Sequence, residues 1–116
     1  MGRERRRYAR LVRPLDGTWY GRSGPAPCRI TDISWGGCFV DSRTTPSMLE
    51  ATVVSLGVGG DAIEIAGRVV SVDQEIGFAV QFDALTAEQV RVMMRLLGDP
   101  PAAEAQLVSP PLKVRR

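Results

Sequence analysis

The sequence predicts a mainly β protein, a small antiparallel β-barrel of about six strands followed by one C-terminal amphipathic α-helix. Three observations lead to this fold class. Short segments in which apolar and polar residues alternate recur between residues 18 and 82. Gly- and Pro-containing turns separate these segments. A helical period replaces the alternation only after residue 85. A chain of 116 residues fits one domain with a real hydrophobic core.

The first half of the chain contains four predicted strand segments. They are residues 11–14, 18–20, 28–34 and 38–40. Pro14 is expected to interrupt the first segment, because proline cannot donate to a ladder. Asp16 and Gly17 predict a turn, and residues 23–27 predict a loop. In the third segment, alternation puts Asp32 on the face of Cys28 and Ile30.

The second half contains four more strand segments before the period changes. They are residues 52–56, 62–66, 68–72 and 76–82. Gly67 separates two of them and predicts a β-bulge. Residues 43–48 predict a polar connection, and Trp19 and Tyr20 are assigned to packing.

A helix is predicted over residues 87–97. Thr86 followed by Gln89 fits a capping box, and Gly98 is a natural terminator. The spacing i, i+3, i+4, i+7 predicts one apolar stripe that plugs an end or face of the sheet. The stripe consists of Val90, Met93, Met94 and Leu97. Core packing is favoured over a partner groove for the two methionines.

Charge is distributed unevenly along the chain. Residues 1–13 carry a net charge of +5, residues 113–116 carry +3, and the stretch between them carries −6. We expect three regions: a flexible Arg-rich ligand-binding arm at residues 1–10, a barrel with its helix at 11–98, and a disordered tail at 99–116. The basic end of the tail is either an inert solvated end or a membrane-surface or partner contact.

Several classes of function are disfavoured by composition. The chain has no histidine and only two cysteines, Cys28 and Cys38, so neither a catalytic triad nor a structural zinc site is pre-assembled. We expect no enzyme activity, no metal and no cofactor. No apolar run predicts a membrane span or a secretory signal, so a cytoplasmic location and two buried, reduced thiols are expected.

Two motifs carry the chemistry. Arg6 and Arg10 form Arg-x-x-x-Arg, and Asp32, Ser34 and Gly37 form Asp-x-Ser-x-x-Gly. Guanidinium groups bind phosphate oxygens and read the O6/N7 edge of guanine. A carboxylate accepts from guanine N–H groups, a hydroxyl adds a polar contact, and glycine lets the backbone approach a ligand. These groups suit the anionic, guanine-bearing ligand that the family resemblance described next implies.

With both motifs in this order, the chain resembles the PilZ domain family, the bacterial receptor domain for cyclic di-GMP. Residues 76–82 before an amphipathic helix are similar to the end of that domain. The resemblance implies a PilZ-like barrel in which Arg6, Arg10, Asp32, Ser34 and Gly37 bind cyclic di-GMP. Arg5 precedes the first motif, and in relatives an arginine there accompanies a stacked ligand dimer. Two ligand molecules per site are therefore expected.

The resemblance also implies a switch. The ligand is expected to order the arm over the barrel and create a surface for an effector protein acting in trans. Motility, pilus, polysaccharide-synthesis and transcription machinery are all open as that effector. Trp35 is either a base-stacking residue or a rim aromatic.

Each motif also has a simpler interpretation. The arginines suit a solvated arm, Asp32 and Ser34 suit an Asx-type turn, and Gly37 suits the hairpin. Three other functions remain as alternatives: a protein–protein adaptor that binds no nucleotide, a nucleic-acid-binding barrel, and an enzyme acting on the dinucleotide. The acidic body argues against nucleic acid, and the absence of histidine argues against the enzyme.

Overall fold

In the computed structural model, which describes residues 8–99 (residues 8–10 and Val12 by backbone alone), the chain forms a closed antiparallel barrel with one helix. This confirms the predicted fold class. The strands are β1 (Tyr8–Gly21), β2 (Gly24–Ser34), β3 (Gly37–Asp41), β4 (Ala51–Val58), β5 (Asp61–Asp73) and β6 (Gly77–Phe82), and the helix is α1 (Ala87–Leu97). Around the barrel the order is β1-β2-β3-β6-β5-β4, and β4 closes onto β1.

The antiparallel pairing gives the barrel two chemically different ends. One end, the motif end, contains the start of β1, the end of β2, the start of β3 and the end of β6. The opposite end, the distal end, contains the turn at residues 22–23, the β3–β4 connection at 42–50 and the turn at 74–76. Arg10 of the first motif and all three residues of the second therefore lie at the same end.

The barrel interior is filled by alternate side chains of all six strands, as the period of two requires. Trp19 is the largest fully buried side chain. Its ring meets Phe78 edge to face, with centroids 4.8 Å apart. Its indole N–H has a hydrogen-bond partner at the edge of the apolar interior, because it donates to Ser42 Oγ at 3.0 Å. The prediction that Trp19 belongs to the packing is confirmed.

Helix α1 begins and ends where the sequence predicts. The capping box is formed, since the Thr86 hydroxyl accepts from the Gln89 N–H at 3.1 Å and the Gln89 carboxamide accepts from the Thr86 N–H at 2.8 Å. The predicted stripe is partly wrong: Met93 is buried, but Met94 is exposed and Val92 is buried in its place. No helix in the described part of the chain is long and apolar enough to cross a bilayer.

Strand β1 is longer than the sequence predicts. It begins at Tyr8, inside the range 1–10 assigned to the arm, and it runs through Pro14 to Gly21. A register irregularity between Arg10 and Leu15 accommodates the proline. The predicted turn at residues 16–17 is wrong, because this part of β1 pairs with β2 on one side and, from Gly17, with β4 on the other.

The predicted loop at residues 23–27 is also wrong. Only residues 22–23 form the turn, and β2 begins at Gly24. Pro25 and Pro27 are tolerated in the strand because β3 pairs with β2 only from Arg29 onward. Before Arg29, the edge of β2 that faces away from β1 has no neighbouring strand, so no backbone N–H is needed there.

The bulge in β5 lies three residues beyond its predicted position. Gly67 stays in register with both neighbouring strands, and the irregularity falls between Val69 and Ser71. Gly67 is needed instead for close packing, because a Cβ there would strike the Gln81 carbonyl oxygen of β6. Tyr20, which the sequence assigned to packing, is exposed on the outside of β1.

Candidate ligand-binding site

The barrel brings the two motifs into direct backbone register. Arg10 in β1 pairs with Asp32 in β2, and Tyr8 pairs with Ser34. Paired Cα atoms in an antiparallel ladder lie about 5 Å apart. One member of the arginine motif is therefore a cross-strand neighbour of the first residue of the second motif. Arg5 and Arg6 lie outside the described residues.

A bulge in β2 reverses the predicted orientation of Asp32. Residues 31 and 32 together oppose Phe39 of β3, between the pairs Ile30–Val40 and Ile33–Cys38. The alternation therefore changes phase, and Ile30 and Ile33 both point into the core while Asp32 is only partly buried. The prediction that Asp32 shares the face of Cys28 and Ile30 is wrong. Alternation alone gives no sign of an inserted residue.

The same bulge identifies a residue that the sequence analysis missed. Phe39 lies opposite Asp32 and is half-buried, while its neighbours Cys38 and Val40 point into the core. Its ring lies beside Gly77 at the start of β6, 3.0 Å from the position that a Cβ on that glycine would take. The alternation of β3 contains this signal, because Phe39 falls on the face opposite to Cys38 and Val40.

Ser34 has a structural role in the turn that joins β2 to β3. Its hydroxyl accepts from the Gly36 N–H at 3.2 Å and donates to the Gly37 carbonyl at 3.3 Å. The side chain is buried. A hydroxyl oxygen has two lone pairs, so the turn uses only one of its two acceptor positions.

Gly37 has a steric reason to lack a side chain. A Cβ at this position would overlap the Val80 carbonyl oxygen of β6, whereas a Cβ on Gly36 would meet nothing within 4 Å. The carbonyl of Gly36 accepts from the Phe82 N–H at 2.8 Å. The motif glycine thus holds β3 against β6 at the base of the site, as the hairpin interpretation predicts.

Trp35 is part of the core. It lies in the turn between Ser34 and Gly37, yet its side chain is buried among the core residues. It is neither an exposed stacking platform nor a rim aromatic, so both predictions for this residue are wrong. A turn residue next to two glycines gives no periodicity from which its burial could be predicted.

The thiols are unsuited to nucleophilic chemistry. Cys28 and Cys38 are separate, buried thiols. Burial, together with the charge of Asp41, raises the pKa of Cys28 to about 11. Burial also raises the pKa of Cys38 well above its ordinary value, and Cys28 adds to that effect. Residues 8–99 contain no group of three or more His, Cys, Asp or Glu side chains arranged to hold a metal ion.

The groups at the motif end are suited to binding. It combines an arginine position, a carboxylate, a hydroxyl with a free lone pair and a partly exposed aromatic ring on a rigid barrel. These groups recognise phosphates and purine edges.

Comparison with known proteins agrees with this arrangement. The chain matches the PilZ domain family over residues 4–99, while no curated protein matches it. PilZ domains are receptor and adaptor domains, a family known to bind cyclic di-GMP and usually to work with effector partners. Since the match spans most of the chain and includes both motifs, the chain belongs to the PilZ domain family.

Proposed function

We propose that this protein is a cyclic di-GMP receptor whose site is formed by Arg6, Arg10, Asp32, Ser34 and Gly37. The observation that carries the proposal is the backbone pairing of Arg10 with Asp32. Arg6 precedes Arg10 by four residues in the sequence, and it belongs to the site in this proposal by its place in the motif. Family membership supports the choice of ligand.

Each group has a role that follows from the chemistry of the dinucleotide. The two guanidinium groups neutralise the phosphates and read the O6/N7 edge of guanine. The Asp32 carboxylate accepts from guanine N–H donors, and Ser34 accepts through its remaining lone pair. Gly37 keeps β3 close to β6, so its contribution is to the shape of the site.

Two ligand molecules occupy the site in this proposal. Arg5 stands immediately before the first motif, which supports binding of a stacked dimer by resemblance to relatives with arginine there. The second molecule adds two phosphate charges, and a third guanidinium offsets them. No other cofactor or metal is involved.

Ligand binding acts as a switch in this proposal. The ligand neutralises the cluster of arginines in residues 1–7 and orders them over the motif end, at an entropic cost that only the bound ligand offsets. The ordered segment then contributes to a surface for an effector protein in trans. The setting is the bacterial cytoplasm, and the effector belongs to motility, pilus, polysaccharide-synthesis or transcription machinery.

Titration calorimetry tests the proposal. Cyclic di-GMP should bind selectively with micromolar or tighter affinity, while GTP and a short DNA duplex should not bind. A stoichiometry near two in the native protein should fall to one in Arg5→Ala. Absence of heat with cyclic di-GMP at high concentration would contradict the proposal.

A second candidate is a PilZ adaptor that binds no nucleotide. It is favoured by the structural roles of Ser34 and Gly37, which the turn explains without a ligand. Under this alternative, alanine at Arg10 would leave effector binding unchanged, and cyclic di-GMP would have no effect on it.

A further inference from the structure

Leu49 occupies a backbone conformation that normally requires glycine. It lies in the β3–β4 connection with φ of +66°, and of the non-glycine residues that the structure describes it alone has positive φ. The Glu50 N–H donates to the Ser47 carbonyl at 3.2 Å, so residues 47–50 form a tight turn with Leu49 at its third position. A type II turn of this kind needs positive φ at that position.

The turn continues into a bulge of the type that also favours glycine. The Leu49 N–H donates to the Val69 carbonyl at 2.8 Å, and the Val69 N–H donates to the Glu50 carbonyl at 2.9 Å. This is the hydrogen bonding of a bulge whose first residue is left-handed. The Glu50 carboxylate fixes the turn further, since it accepts from the N–H groups of Ser47 at 2.8 Å and Arg22 at 2.6 Å.

The side chain of Leu49 buries little surface in the barrel that could offset this backbone strain. It is 59% exposed, and the adjacent Met48 is 54% exposed. Val70, the bulged residue of β5 next to the Val69 partner, is also exposed. Met48, Leu49 and Val70 thus form a distal apolar patch held in a rigid conformation. The turn requires positive φ at this position but does not require a leucine side chain. An exposed leucine in a conformation that suits glycine therefore points to a function.

One arginine borders the distal apolar patch. The Arg68 guanidinium donates to the Leu49 carbonyl at 2.8 Å, which holds it at the edge of the patch with most of its donors available. Among the described residues, no acidic side chain forms an ion pair with Arg68. The patch is therefore apolar with a positive rim at Arg68.

The positive rim selects among the possible occupants. A membrane surface would gain only about 1 kcal/mol from the one basic residue at the rim. A guanidinium held in a fixed orientation is better suited to bidentate contact with a carboxylate.

We propose that the distal apolar patch is a docking site for a segment of a partner protein that presents an apolar side chain flanked by aspartate or glutamate. The apolar side chain packs on Met48, Leu49 and Val70, and a neighbouring carboxylate pairs with Arg68. The surface exists without any ligand and lies at the end of the barrel away from both motifs. It is therefore independent of the proposed nucleotide site.

Selection from a phage-displayed library of random 12-residue peptides tests this inference, with the full chain as target and no nucleotide present. Phage that bind the variant Leu49→Gly are removed before each round. Enriched peptides should share an apolar residue with neighbouring Asp or Glu. Failure to enrich any sequence, or enrichment of basic peptides, would overturn the proposal.

Variants then test the contacts with the best synthetic peptide. Leu49→Gly should weaken binding about tenfold or more, yet its melting temperature should not fall below that of the native protein, because glycine suits positive φ. Arg68→Glu should also lose the acidic peptide and should bind a version in which lysine replaces the acid. Ile76→Ser is the matched control, since Ile76 is equally exposed, 59%, at the same end of the barrel but outside the patch.

The other occupants give distinct results. If sedimentation velocity shows dimers of the native protein that are lost in Leu49→Gly, the occupant of the patch is a second copy of this chain. Binding to vesicles of anionic lipid, lost in the same variant, would replace it with a membrane. Either result contradicts the proposed docking site. So does a selected peptide that binds Leu49→Gly with the same affinity as the native protein.

Discussion

Arg10 and Asp32 are direct cross-strand neighbours in the ladder between β1 and β2. Twenty-one residues separate them in the chain, so neither motif alone contains the information that they meet. The pairing depends on the short turn at residues 22–23, which folds β1 back on β2, and on register irregularities in both strands. At least Arg10 of the arginine motif is consequently part of the folded barrel.

Asp32→Asn should reduce cyclic di-GMP affinity about tenfold or more, because the amide removes a charge that accepts from guanine N–H groups and offsets nearby arginines. Urea unfolding of the same variant separates a loss of affinity from a loss of stability, because the Asp32 Oδ1 is buried although the residue as a whole is only partly so. Asp16→Asn is the matched control, because Asp16 is exposed on β1 and pairs with Arg29 at 3.8 Å. Calorimetry that finds equal losses in the two variants would contradict the role of Asp32.

Gly37→Ala should destabilise the barrel by about 1–3 kcal/mol, because the new methyl group overlaps the Val80 carbonyl oxygen and must displace β6. Gly36→Ala should change stability by less than about 0.5 kcal/mol, since space around Gly36 is open. Urea unfolding of the two variants measures the difference. Equal stability would show that Gly37 is not needed for strand packing.

Glu50 should make the barrel sensitive to acid. Its carboxylate accepts from the N–H groups of Arg22 and Ser47, and these bonds hold the pKa of Glu50 below its ordinary value. A carboxyl group with a lowered folded pKa stabilises the fold above its unfolded pKa, and that contribution is lost as pH falls through the folded pKa.

Glu50→Gln tests this contribution by urea unfolding between pH 7 and pH 3. The native protein should exceed the variant by a constant margin above about pH 5, and the margin should shrink at lower pH as the carboxylate is protonated. A margin that does not change with pH would mean that the charge of Glu50 is not responsible for it.

Both thiols should resist labelling in the folded protein. With the pKa of Cys28 raised to about 11 by burial, its thiolate is scarce at pH 8, and Cys38 is still less ionised. Reaction with 5,5′-dithiobis(2-nitrobenzoate) should release two equivalents in guanidinium chloride and almost none in buffer within minutes. Rapid release of one equivalent from the native protein would indicate an accessible cysteine.

The elements with a regular apolar period were predicted correctly from the sequence. The helix bounds and the alternating strands β4 and β6 follow directly from local pattern, and the capping residues Thr86 and Gln89 form as expected. The motif residues were also available from the sequence. Their spacing along the chain identified the family, which the match over residues 4–99 confirms.

Two of the errors share one physical cause, which is that bulges change the phase of a strand without leaving a mark in composition. The bulge before Asp32 turned that residue away from the core, and the irregularity after Arg10 let β1 pass through Pro14. Strand pairing on both sides then overrode the turn preference of Asp16 and Gly17. Such features depend on which strands become neighbours, and that is a property of the closed barrel.

The most direct test of the central claim is an NMR titration of the ¹⁵N-labelled protein with cyclic di-GMP. The account predicts that amide resonances of residues 8–10 and 32–37 shift together and saturate, while those of the turn at residues 22–23 and of the 47–50 turn remain in place. Absence of shifts, or shifts confined to the distal end, would contradict the claim that the Arg10–Asp32 pairing assembles one nucleotide site.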